Sequence, residues 1–92
     1  MNSDRVEMIE TRLRAAFAVE HVEIEDESHK HAGHPGAAEG GGHFRVLVVS
    51  PAFAGKNRMQ RHRLVYDAMG DAMRNDVIHA LSIRALTPDE PR

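Results

Sequence analysis

Apolar residues recur at spacings of three and four through Val6, Ile9, Leu13 and Phe17, with Arg5, Glu10, Arg12 and Arg14 between them. That period predicts an amphipathic helix with its apolar stripe toward a core and Ser3 as its N-cap. The period then shortens to two. In His21-Val22-Glu23-Ile24-Glu25-Asp26, Val22 and Ile24 alternate with charged or polar residues, as in a strand with one solvated face. Glu23 and Glu25 on that face suit an edge strand, where charge discourages stray strand pairing.

Residues 27–42 show no sustained apolar period and hold five of the seven glycines plus Pro35, so they read as an irregular Gly/His-rich loop. After it, His43 to Val49 is rich in β-branched residues, with Phe44, Val46 and Val48 on one face and Leu47 and Val49 partly covering the other, the pattern of a central strand. Ser50-Pro51 ends it, and Phe53-Ala54-Gly55-Lys56 forms a turn. A second helix follows from Arg58 to about Met73, its stripe made by Leu64, Val65, Ala68, Met69, Ala72 and Met73, until Asn75-Asp76 breaks it. From Ile78 to Leu86 the period is again two, with His79, Leu81, Ile83 and Ala85 on one face and Ala80, Ser82, Arg84 and Leu86 on the other. Residues 87–92 are expected to fray as a flexible tail.

The order helix, strand, strand, helix, strand predicts an α/β (α+β) domain with a three-stranded mixed sheet. The first two strands are antiparallel, and the second and third are parallel through a right-handed helical crossover. Ninety-two residues suffice for one such domain, spanning 1–92, and for no separate catalytic module. With 41% hydrophobic and 28% charged residues the chain has enough apolar content to fold.

Net charge changes the functional picture. Twelve basic against fourteen acidic residues leave −2, which argues against wholesale coating of nucleic acid or anionic membrane and confines any anion site to a local patch. No stretch approaches the roughly 20 apolar residues of a membrane span, and no apolar leader is seen, so a cytoplasmic protein without membrane attachment is expected. The absence of cysteine removes a disulfide framework, a thiol nucleophile and any metal cluster held on this chain's own thiolates.

Two clusters carry candidate chemistry. Histidine occurs seven times, with His29, His31, His34 and His43 in or beside the glycine-rich loop. Neutral imidazole is a borderline ligand for iron and zinc, and the loop offers several such nitrogens; a solvated loop is the plain alternative, and so is a zinc- or iron-buffering loop needing no partner. The second cluster is Lys56, Arg58, Arg61 and Arg63, with His62 among them, at the start of the second helix. Cations there oppose the helix dipole at about 0.3–1 kcal/mol each, which suits an anion-binding or docking surface, the alternative being a solvated face paired with nearby acids. The run Asp26-Glu27-Ser28 has no histidine base or oxyanion site assigned to it, so no catalysis is expected and the chain reads as a non-enzyme.

Taken in order, Asp26-Glu27-Ser28, His31-Ala32, Gly42-His43-Phe44-Arg45-Val46, Val49-Ser50, Phe53-Ala54-Gly55, Arg61-His62-Arg63-Leu64-Val65-Tyr66 and Ile78-His79-Ala80-Leu81-Ser82-Ile83 resemble the BolA family over nearly the whole chain. The resemblance implies a BolA-like fold similar to class II KH domains. It also implies a heterodimer with a monothiol glutaredoxin in iron–sulfur cluster assembly, delivery or iron regulation. In the family a histidine at the start of the last strand and a histidine or cysteine in the loop between the first two strands are associated with a shared 2Fe–2S cluster. Those positions match His79 and His31 here, the histidine-loop subgroup, with His29 and His34 as alternative loop ligands.

Four ligands are needed, so a cysteine-free chain supplying two histidines implies that a glutaredoxin thiolate and glutathione supply the others. The isolated chain, expected to be monomeric, then holds no cluster alone. Histidines in place of thiolates imply a higher reduction potential than that of a glutaredoxin homodimer, and protons should compete for them as pH falls. An alternative within the same family is DNA-binding transcription regulation through the basic 56–63 segment. The Gly-x-x-Gly clamp of KH domains is missing from Phe53-Ala54-Gly55-Lys56-Asn57-Arg58, so likeness to that sheet does not carry RNA binding with it.

Overall fold

The computed structural model describes residues 2–27, 42–73 and 78–92. Five main elements follow in the expected order: α1 (Asn2–Ala16), β1 (His21–Asp26), β2 (Gly42–Val49), α2 (Arg58–Met69) and β3 (Ile78–Leu86). The sheet runs β1-β2-β3, with β1 antiparallel and β3 parallel to the central β2. This is the α+β class and mixed sheet that the periodicities imply.

Alternation decides which side of the sheet is covered. Phe44, Val46 and Val48 of β2 are buried and join Ile9 and Leu13 of α1, Val65 and Met69 of α2, and Leu81 and Ala85 of β3 in one core. Phe53, fully buried in the 3₁₀ turn Pro51–Phe53, packs edge-on against Phe17 with centroids 5.2 Å apart. Burying a side chain of this size contributes about 1.5–3 kcal/mol relative to leaving it exposed. The opposite face carries exposed Glu23, Glu25, Arg45, Ser82 and Arg84. There Arg45 lies 3.3 Å from Glu27 and 4.0 Å from Glu25, while His21 and Glu23 approach to 2.6 Å.

Several boundaries differ from the sequence reading, each for a local reason. Ser3 lies inside α1, which begins at Asn2, so it is not the N-cap. Gly42 opens β2 instead of ending the loop, whose residues 28–41 lie outside the described part of the chain. The second α-helix ends at Met69, not near Met73. Gly70 takes φ +55°, a backbone that interrupts the helix and that L side chains rarely adopt, and a 3₁₀ turn at Gly70–Ala72 follows. Arg12 of α1 fixes that end, its Nη1 donating to the Met69 carbonyl at 2.6 Å and its Nη2 to Asp71 at 3.1 Å.

Residues 87–92, expected to fray, are folded back over 87–90. Thr87 is buried, the Glu90 N–H donates to the Thr87 carbonyl at 3.1 Å, and the Thr87 N–H donates to Glu90 Oε1 at 2.8 Å. Thr87 Oγ1 also donates to Asp89 at 2.6 Å. The Glu90 carboxylate satisfies the Thr87 N–H and the Thr87 carbonyl satisfies the Glu90 N–H, which is why a polar tail becomes a turn here.

Candidate functional site

The basic segment begins where Pro51–Phe53 hands the chain to α2. Asn57 caps that helix reciprocally: its side chain accepts from the Gln60 N–H and the Gln60 side chain accepts from the Asn57 N–H, each at 2.9 Å. This presents Lys56 and Arg58 on either side of the cap and turns Arg61 and His62 toward the C-terminal end of β3. Lys56, Arg58, Arg61 and His62 therefore meet Arg84 of β3 around a single open cleft of about 540 Å³, with Ile83 in its lining. Arg63, from the same run, does not line it. Sequence reading passed over Arg84; its signal was its position on the exposed face of the strand that the helix crosses back to meet.

Arg61 is not the free cation that its place in the run suggested. Its guanidinium forks onto Glu90 at 2.6 and 3.0 Å and also donates to the carbonyls of Ala85 at 3.0 Å and Lys56 at 2.9 Å. Hydrogen bonding from Arg61, and then from the Thr87 backbone, holds the Glu90 carboxyl down to about 2. Its hydrogen bond to Glu90 in turn raises the Arg61 pKa above its ordinary value. Bidentate guanidinium–carboxylate pairs are the strong, directional kind. For Arg61 the plain alternative, a cation paired with a nearby acid, is what the geometry realises. Among the described residues Lys56, Arg58, Arg63 and Arg84 form no ion pair.

The same helix closes the outer edge of β3. The Tyr66 hydroxyl donates to the Leu81 carbonyl at 3.2 Å, as Arg61 does to Ala85, so two outward carbonyls of this edge are occupied by side chains of α2. Such cover limits strand addition by other chains.

His79 lies at the other end of β3. Gly42 pairs with Ile78 and His43 with Ala80, so the register skips His79, a bulge or irregularity in the ladder. Ile78 and Leu81, three apart, are both buried, so the alternation changes phase across it. The unbroken period of two expected from Ile78 to Leu86 is therefore interrupted in the backbone at His79. Bulges concentrate beside functional sites because they re-aim the chain. Glu27, the last described residue before the loop, donates its N–H to the His43 carbonyl at 2.7 Å, and the chain returns at Gly42 opposite Ile78. The loop bearing His29, His31 and His34 thus leaves and re-enters the sheet at the end where β3 begins; those three histidines themselves lie outside the described residues. Among the described residues no three His, Asp or Glu side chains form a metal-binding group, and no helix is long and apolar enough to cross a membrane.

Known proteins share this sequence and fold. The family model described as BolA-like protein matches residues 13–90. The chain is 37% identical over 84 residues to the DNA-binding transcriptional regulator BolA of Escherichia coli, covering 91% of this chain and 76% of that one. It is 47% identical over 74 residues to SufE-like protein 1 of Arabidopsis thaliana, spanning 75% of this chain but only 20% of that protein. The solved BolA domain of SufE1 from Arabidopsis thaliana superposes with a TM-score of 0.80 at 38% identity, covering 99% of each chain. From α1 to the turn after β3, this chain belongs to the BolA-like protein family.

Proposed function

We propose that the chain is a non-enzymatic adaptor that pairs with a monothiol glutaredoxin and shares a 2Fe–2S cluster with it as cargo, for assembly, delivery or iron regulation. The observation that carries this reading is the bulge at His79 beside the re-entry of the histidine loop at Gly42. The strand histidine and the two flanks of the loop that carries His31, with His29 and His34 as alternatives, lie at the same end of the sheet. The donor chemistry fits: imidazole supplies two of four ligands, and thiolates from glutaredoxin and glutathione supply the rest. The kinship with a BolA domain found in a SufE protein supports an iron–sulfur setting. Mixing the chain with cluster-loaded glutaredoxin and glutathione should change visible absorption and circular dichroism, and the change should disappear in His79→Ala and His31→Ala. Loss in His79→Ala alone moves the loop ligand to His29 or His34; no change with the wild type ends the reading.

A second reading, DNA-binding regulation, draws on the cleft cations Lys56, Arg58 and Arg84, with His62 beside them, and on the name of the Escherichia coli relative. It requires affinity that falls steeply with salt, since neutralised phosphates release counterions. Absence of duplex binding at low salt would remove it.

A further inference from the structure

One residue of the cleft at the C-terminal end of β3, Arg61, already holds an anion, and the chain supplies it. Glu90 occupies both arms of Arg61, and the turn that carries it fastens its own backbone to the same carboxylate. Yet Lys56, Arg58 and Arg84 line the cleft without an ion pair among the described residues, so the Glu90 and Asp89 carboxylates near Arg61 face an excess of positive charge. Ile83 and Leu86 add an apolar wall, and Met59 stands 71% exposed on the first turn of α2.

We propose that this cleft is a docking site for an acidic segment of a partner protein, with Glu90 as the built-in competitor that such a segment displaces from Arg61. The Thr87–Glu90 turn shows the ligand chemistry in miniature: a carboxylate on a peptide, received by a forked guanidinium. Cations around an apolar wall complement acidic side chains interspersed with aliphatic ones. No Phe, Tyr or Trp ring lines the cleft to stack a base, which favours a protein segment over single-stranded nucleic acid. A competitor on the same chain is present at high effective concentration, so an incoming segment binds more weakly than the bare cleft would allow. The site lies about six residues of β3, roughly 20 Å, from His79. It therefore stands or falls independently of the cluster reading.

The test uses the full chain and a short fluorescein-labelled peptide of alternating leucine and glutamate, read by fluorescence anisotropy. Glu90→Gln should tighten binding roughly fivefold, and Lys56→Ala with Arg84→Ala should weaken it by at least as much. Because Glu90→Gln can also loosen the turn, the Arg61 Nε–H resonance of the wild type is followed by NMR during the titration; it should shift as Glu90 is displaced. Equal affinity of wild type and Glu90→Gln, an Arg61 signal that stays fixed while peptide saturates, or preference for labelled DNA over peptide would each overturn the proposal.

Discussion

Candidate residues meet opposite backbone settings at the two ends of β3. At the C-terminal end Arg61 is bound to two backbone carbonyls and one carboxylate, and the strand edge is regular and covered. At the N-terminal end the register breaks at His79, and a long loop re-enters beside it. The contrast teaches that residue type is a poor guide to function. An arginine in a basic run fastens the tail, whereas a histidine in an apolar strand sits where the ladder is interrupted. Cations still free to act at the regular end are Lys56, Arg58 and Arg84, which hold no internal carboxylate among the described residues.

The largest effect should come from removing what supports the regular end. Phe53→Ala, beneath the turn that leads to Lys56, should cost about 3–5 kcal/mol in denaturant unfolding, because the cavity left under α1 and α2 cannot close. A loss under about 1 kcal/mol would mean that the basic end does not depend on this packing.

A sharper contrast pairs Arg61→Ala with His79→Ala. The first removes the tail clamp and should lower the melting temperature by about 5 °C and expose residues 87–92 to proteolysis. The second, at the break in the ladder, should cost less stability than the first while abolishing cluster sharing. A reversal of these stabilities would erase the difference between the ends.

The smallest effect is one of pH. Glu90 titrates near 2 when folded, below the unfolded carboxylate at about 4.3. The clamp therefore stabilises fully above the unfolded value and fades as pH falls from there through about 2. The Thr87 amide shift should follow that window, and Glu90→Gln should flatten it. A Thr87 shift centred near the unfolded value would show that the clamp is not formed in solution.

The elements themselves were legible because burial follows period. Val22 and Ile24 against Glu23 and Glu25 gave an edge strand, and the stripe through Ile9 and Leu13 gave the first helix, since each face meets one environment. What escaped were features set by a single backbone angle or a long-range contact. Gly70 ends α2 through a positive φ that no apolar pattern records. The tail turn carried a local signal in its Thr87-to-Glu90 spacing, but its anchor, Arg61, is 29 residues away in sequence. The bulge at His79 depends on how β2 and β3 align, which alternation within β3 alone cannot encode. At the candidate site, the histidine end is an expectation from family resemblance, and the basic end was legible from charge, without Arg84.

The most direct test of a functional histidine end separate from the basic end is a visible circular dichroism titration with cluster-loaded monothiol glutaredoxin, comparing His79→Ala with Lys56→Ala/Arg84→Ala. The account predicts that the spectrum of the shared cluster is lost in the first variant and retained in the second. A spectrum that persists without His79, or that vanishes with the two cations, would contradict it.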